Sequence, residues 1–277
     1  MIPSKSVISA AQLIGRIGSA AAPLIFDVRR QATFEAADRM VAGARHRPHH
    51  QAGEWGRALP VDVEIVVYCV HGHEVSQAAC AQLRAAGRKA RYLEGGFEAY
   101  IAAGGPTRLR DAEATCQAVP SQWVTRERPK VDRIACPWLI RRFVDPDAVI
   151  HYVAPDRLRD VARELGAIPF DVDGVDFSHE GELCSFDAFI TRFGIEDAAL
   201  GHMARIVRGA DTARPGLEPE CAGLLALALG ISSLHADDHE ALRAGMTIYD
   251  ALYGWIRFAR AETHNWPTVA PAEGATA

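Results

Sequence analysis

The sequence predicts an α/β fold, with a parallel sheet flanked by helices in the first third and then an α+β, mostly helical unit. Three observations carry this expectation. The short runs "PLIFDVR" (23–29) and "EIVVYC" (64–69) are rich in Val and Ile, the continuous apolar character of buried parallel strands. Segments with helical spacing follow such runs at the interval of strand–helix–strand units, which build parallel sheets. From Ile195 onward the pattern is helical through "DAALGHMARIVRGADT", "ECAGLLALALGISSL" and "DDHEALRAGMTIYDALYGWIRFARAETHNW".

Taken in order, "SQAACAQLRAAG" reads as a helix stopped at Gly87. "KARYLEG" (89–95) reads as a strand and "GFEAYIAAGG" as the helix that closes the first unit. "PTRLRDAEATCQAVPS" (106–121) is polar, bounded by prolines and reads as a linker. Beyond it "WVTRERP" and "AVIHYVA" look like strands. "ACPWLIRRFV" looks like a short helix with Pro137 near its first turn. "FDVDGVDFSHEGELC" reads as strands before a helix from about Ser185, and Asp237 and Asp238 open the last helix by cap and dipole. The expected division is 1–108, a linker at 109–120, a second domain at 121–267 and a flexible tail at 268–277.

Composition narrows the function classes. A chain of 277 residues, 49% hydrophobic and 23% charged, is long enough for two globular domains. A net charge of −5 argues against broad electrostatic binding to nucleic acid. The opening segment reads as lacking the apolar core of a secretory signal, and no apolar run reaches the roughly 18 residues of a membrane span. The six cysteines (69, 80, 116, 136, 184, 221) form no CxxC and no regular spacing. A reduced, cytoplasmic protein with one or two working thiols is the expectation.

One thiol stands out by position. In "IVVYCVHGHEVSQAACAQL" (65–83), Cys69 ends an apolar run and faces a six-residue loop that leads into a helix. Loop N–H groups and the helix end favour the thiolate, which is the nucleophile. The same cradle of Val70, Gly72, Val75 and Ser76 would hold a persulfide or an oxyanion. "LIFDVR", "YCVHGHEVSQAACAQL" and "YLEGGFEAYIAAGGP" together resemble the rhodanese-like (sulfurtransferase) family over about residues 8–106. The resemblance implies a catalytic role for Cys69, with a small-molecule sulfur donor and a thiol acceptor as partners. Active members of that family generally carry an arginine in the loop, where this chain has His71, His73 and Glu74. Glu74 opposes negative charge there, while His71 and His73 tune it by protonation or join Cys69 around a soft metal. The alternative is an inert Cys69 in a degenerate domain.

The second unit resembles the C-terminal domain of the chromate-resistance ChrB family through "WVTRERPKVDRIACPWLIRRFVDPDAVIHYV", "GAIPFDVDGVDFSHEGELCSFDAFITRFG", "ARIVRGADT" and "YDALYGWIRFARAETHNWP". The residues themselves add a metal expectation. Two histidines with a carboxylate suit Fe(II), Mn(II) or Zn(II), and His179 and His264 with Glu180, Glu182 or Asp187 form the most economical set. The duller readings are an ordinary hairpin about Gly181, a helix cap at Asp211, and Cys136, Cys184 and Cys221 as small buried residues. Three functions stay open: a sulfurtransferase or thiol-redox protein of chromate and oxidative-metal stress using Cys69; a non-catalytic metal- or chromate-binding sensor; and a metal-dependent oxidoreductase centred on the second domain.

Overall fold

The computed structural model describes residues 6–112 and 120–262. His264 and Cys116 lie outside them. The chain runs β1 (Val7–Ile8), α1 (Ala10–Ile14), β2 (Leu24–Asp27), α2 (Gln31–Glu35), β3 (Arg39–Val41), β4 (Arg45–His46) and α3 (Ala52–Gly56). Next come β5 (Glu64–Tyr68), α4 (Glu74–Ala85), β6 (Lys89–Leu93), α5 (Gly96–Ala102) and β7 (Thr107–Leu109). The second part holds β8 (Gln122–Arg126), α6 (Val131–Leu139), β9 (Val149–Val153), α7 (Leu158–Leu165), β10 (Ile168–Pro169) and α8 (Ser185–Arg192). Three long helices end it: α9 (Ala198–Asp211), α10 (Cys221–Leu234) and α11 (Asp238–Gly254).

Five strands form a parallel sheet in the order β1-β6-β5-β2-β4. The central β5 is buried over Ile65–Tyr68, as its unbroken apolar run requires. A second parallel sheet, β10-β8-β9, carries the fully buried Trp123 into an aromatic cluster with Phe170, Phe177, Phe189 and Phe193.

The segment expected to be strands before Ser185 is mostly loop, with single bridges at Phe170–Phe177 and Glu180–Leu183 about the turn at Gly181. Helix α6 also starts earlier than expected, at Val131, so Pro137 lies inside it. A proline cannot donate to the carbonyl four residues back. The Tyr152 hydroxyl takes that place and donates to Arg133 O at 2.7 Å. The early start puts Asp132 in the helix's first turn.

The two parts share one buried core, which runs from Leu13, Tyr68 and Tyr100 to Trp138, Phe143 and Tyr253. Gly18, at φ 79°, lies against the Tyr253 ring where a Cβ would collide. Polar contacts line the seam. Gly43 N donates to Phe143 O at 2.7 Å, and Arg39 reaches Glu196 at 3.1 Å. Arg45 pairs with both Asp145 and Asp147. Burial alone would raise the Asp145 carboxyl, but the Ser121 hydroxyl and N–H and the Arg45 guanidinium outweigh it and hold it below its usual range.

Candidate functional site

Two polar sites lie beyond the carboxyl ends of parallel strands, the position where ligands of open α/β sheets bind. The first follows β5. Cys69 is 7% exposed, with Sγ 3.2 Å from Ser76 Oγ. Among the described residues, no backbone N–H from Val70 to Ser76 donates to another backbone group, as expected of a loop entering the free N-terminus of a helix.

The "EGG" turn behind the loop fixes its shape. Phe97 N donates to Cys69 O at 2.9 Å and Glu98 N to Val70 O at 3.1 Å. Gly72, Gly95 and Gly96 all hold positive φ. A Cβ on Gly72 would stand 2.6 Å from Leu93 O, and one on Gly96 would strike Gly72 N, Val70 O and Cys69 O. The glycines are therefore required by close backbone approach.

A cleft of about 460 Å3 opens over this loop, lined by Arg29, Arg30, Thr33, Cys69, His71, His73 and Glu74. Arg29 is buried against Asp27, whose Oδ2 also accepts from the Tyr68 hydroxyl at 2.9 Å. Arg30 is exposed. It brings a cation to the cleft from the β2–α2 junction, a contribution that reading the loop alone missed. His71 pairs with Glu98 across 3.1 Å at the surface. Glu74 begins α4, where the helix dipole favours its charge. Among the described residues, His71 and His73 do not join Cys69 in a group of three metal-competent donors.

The second site follows β8 and β10. His179 Nε2 lies 3.1 Å from Asp211 Oδ2, 3.5 Å from Asp171 Oδ1 and 3.6 Å from Asp132 Oδ2. Asp171, in a left-handed conformation at φ 53°, accepts from the Ser185 hydroxyl at 2.8 Å, from Arg126 at 3.0 Å and faces Arg133 at 3.3 Å. Asp132 is 2% exposed and accepts from Ser185 N at 2.7 Å. Burial, then repulsion from Asp211 and Asp171, pushes the Asp132 carboxyl well up. Burial and Asp171 push Asp211 up as well.

The carboxylates around His179 are therefore not those expected from its neighbours in sequence. Glu180 is exposed, Glu182 pairs with Arg214 at the surface, and Asp187 accepts from Cys184 N and is gripped by Arg208. Residues two or three apart in an exposed turn need not converge. Asp132, Asp171 and Asp211 come from other elements and bear no spacing signal. Asp211 does accept from Asp132 N, at 3.4 Å, so its capping role and its place in the cluster coexist. Cys136 and Cys184 are buried thiols pushed up by burial, as small core residues would be.

Comparison with known proteins matches each part separately. The rhodanese-like domain model matches residues 9–103, and the ChrB C-terminal domain model matches residues 123–256. Protein ChrB of Cupriavidus metallidurans is 34% identical over 134 residues, 48% of this chain and 40% of that protein. The chain thus spans well under half of that relative. Thiosulfate sulfurtransferase GlpE of Stutzerimonas stutzeri is 37% identical over 79 residues, 28% of this chain and 70% of that enzyme. A rhodanese-related protein from Thermoplasma volcanium aligns over 37% of this chain and 96% of its own, with 27% identity and a TM-score of 0.32. The chain belongs to the rhodanese-like family through residues 9–103 and joins that domain to a ChrB C-terminal domain.

Proposed function

We propose that the protein transfers sulfane sulfur through Cys69 and works in chromate or oxidative-metal stress. The observation that carries this reading is the thiol at the base of a loop whose N–H groups, from Val70 to Ser76, have no backbone acceptor. The Cys69 thiolate attacks the outer sulfur of a donor such as thiosulfate. The S–S bond of the donor breaks, sulfite leaves with the bonding pair, and Cys69 holds a persulfide. An acceptor thiolate then takes the outer sulfur and returns Cys69 to the thiolate. The free N–H groups stabilise the anionic persulfide, and Arg30, His71 and His73 offset Glu74 in drawing an anionic donor to the cleft.

Five free cysteines among the described residues suit a reducing cytoplasm, and no described helix is long and apolar enough to cross a membrane. The test is thiosulfate-to-cyanide transfer beside mass spectrometry for a sulfur adduct on Cys69. The expected result is turnover and a 32 Da adduct, roughly one sulfur atom, both lost in Cys69→Ser while the fold persists. Turnover retained in that variant would refute the reading.

A further inference from the structure

The charges around His179 do not balance. Arg126 and Arg133 both engage Asp171, which leaves Asp132 and Asp211 with His179 as their shared neighbour. Asp132 is almost wholly buried, and its Oδ1 accepts no hydrogen bond from the described residues. An ionised carboxylate in that state is costly unless a cation compensates it.

The spacing suits such a cation. Donors sharing one ion at bond lengths of about 2.1 Å lie about 3.0 Å apart at octahedral right angles and about 3.4 Å apart in a tetrahedron. The Nε2 to carboxylate distances of 3.1 and 3.6 Å fall near that range. One donor atom from each of Asp132, His179 and Asp211 lies within 4.8 Å of the other two.

We propose that Asp132, His179 and Asp211 bind one divalent first-row cation, with Asp171 beside the imidazole holding the site in place. Two carboxylates and one imidazole match Mn(II), Fe(II) or Zn(II), whereas Mg(II) favours oxygen donors alone. The dication neutralises Asp132 and Asp211, with which no arginine forms an ion pair among the described residues. Asp171 contributes through Ser185, Arg126 and Arg133, which fix its carboxylate beside the imidazole. His179 is 41% exposed and lines a cleft of about 610 Å3 with Arg126 and Arg159, so the open side of the ion faces solvent there. The site is independent of the sulfur chemistry assigned to Cys69.

Tag-free full-length protein is stripped with chelator, then titrated separately with Mn(II), Zn(II) and Mg(II), and metal content is measured after gel filtration. One equivalent of Mn(II) or Zn(II) per chain is expected, with a rise in melting temperature. His179→Ala and Asp211→Asn should each weaken binding more than about 100-fold, beyond the effect typical of outer-shell changes. Both should also lose the metal-dependent rise while still melting cooperatively without metal. Glu182→Gln, at the surface with Arg214, should bind like the wild type. The proposal fails if folded wild type binds neither ion, if both site variants retain binding, or if Mg(II) binds as tightly as Mn(II) and Zn(II).

Discussion

The two sites occupy equivalent places, beyond the ends of parallel strands, and are built from opposite materials. Around Cys69 the candidate groups are a thiol and backbone N–H groups from one continuous stretch, held in shape by glycines. Around His179 they are side chains from α6, the loop after β10, the loop before α8 and the end of α9. A backbone cradle depends on what the residues lack. A side-chain cluster depends on what they carry, and it must tolerate like charges at close range.

Substituting Gly96 tests the first half of this contrast most severely. Gly96→Ala meets three backbone atoms at positive φ, none of which can yield as a flexible side chain would. A loss of about 4 kcal/mol in urea unfolding is expected from the strain and overpacking, with loss of sulfur transfer. An unchanged midpoint would show that the cradle does not need its glycine support.

Next in size is Asp145, which serves neither site and so calibrates both. Asp145→Ala leaves the half-buried Arg45 with Asp147 alone and strips the buried Ser121 hydroxyl and N–H of their acceptor, and is expected to cost about 3 kcal/mol. Because Asp145 is held below its ordinary value of 3.8, its contribution is complete above that pH and is lost as pH falls through the folded value. The wild type should therefore lose this stability on acidification, and Asp145→Ala should show a flatter acid limb in melts taken across pH.

Asp132→Asn should act in the opposite direction. With chelator present it removes a buried charge repelled by Asp171 and Asp211, while the amide oxygen still accepts from Ser185 N. A gain of about 1 kcal/mol is expected, together with loss of metal binding. A loss of stability would mean that the cluster is already compensated. Smallest of all, His71→Ala removes an exposed pair with Glu98 and should shift stability by less than about 0.5 kcal/mol in the same assay.

The contrast also explains what could be read from the chain. The Cys69 loop was readable because strand, thiol, glycines and helix start all fall within one short window, and its buttress announces itself as Gly95-Gly96. Arg30 carries no signal in that window because it reaches the cleft from a different strand end. His179 is recognisable as metal-competent, but of its expected partners His264 lies outside the described residues and the neighbouring carboxylates Glu180, Glu182 and Asp187 do not join it. Asp132 and Asp211 are 79 residues apart and meet only through packing of α6 against α9. Pro137 further disguised the start of α6, because the compensating donor is Tyr152 on a separate strand. The buried strands of the first sheet and the long C-terminal helices are readable from periodicity, whereas the loop before Ser185 is not, and convergence of side chains depends on long-range contacts.

Arg257 donates to Ile17 O at 3.0 Å and to Ile14 O at 2.8 Å, so a residue beyond α11 closes the end of α1 across 243 positions of sequence. During synthesis at about 5–20 residues per second, α1 waits roughly 12–50 s for this partner. Phe143 reaches Gly18 earlier in that interval, but the place of the Tyr253 ring beside them stays unfilled until the end of α11 is made. The order of synthesis therefore makes the first helix of the chain the last to be fastened.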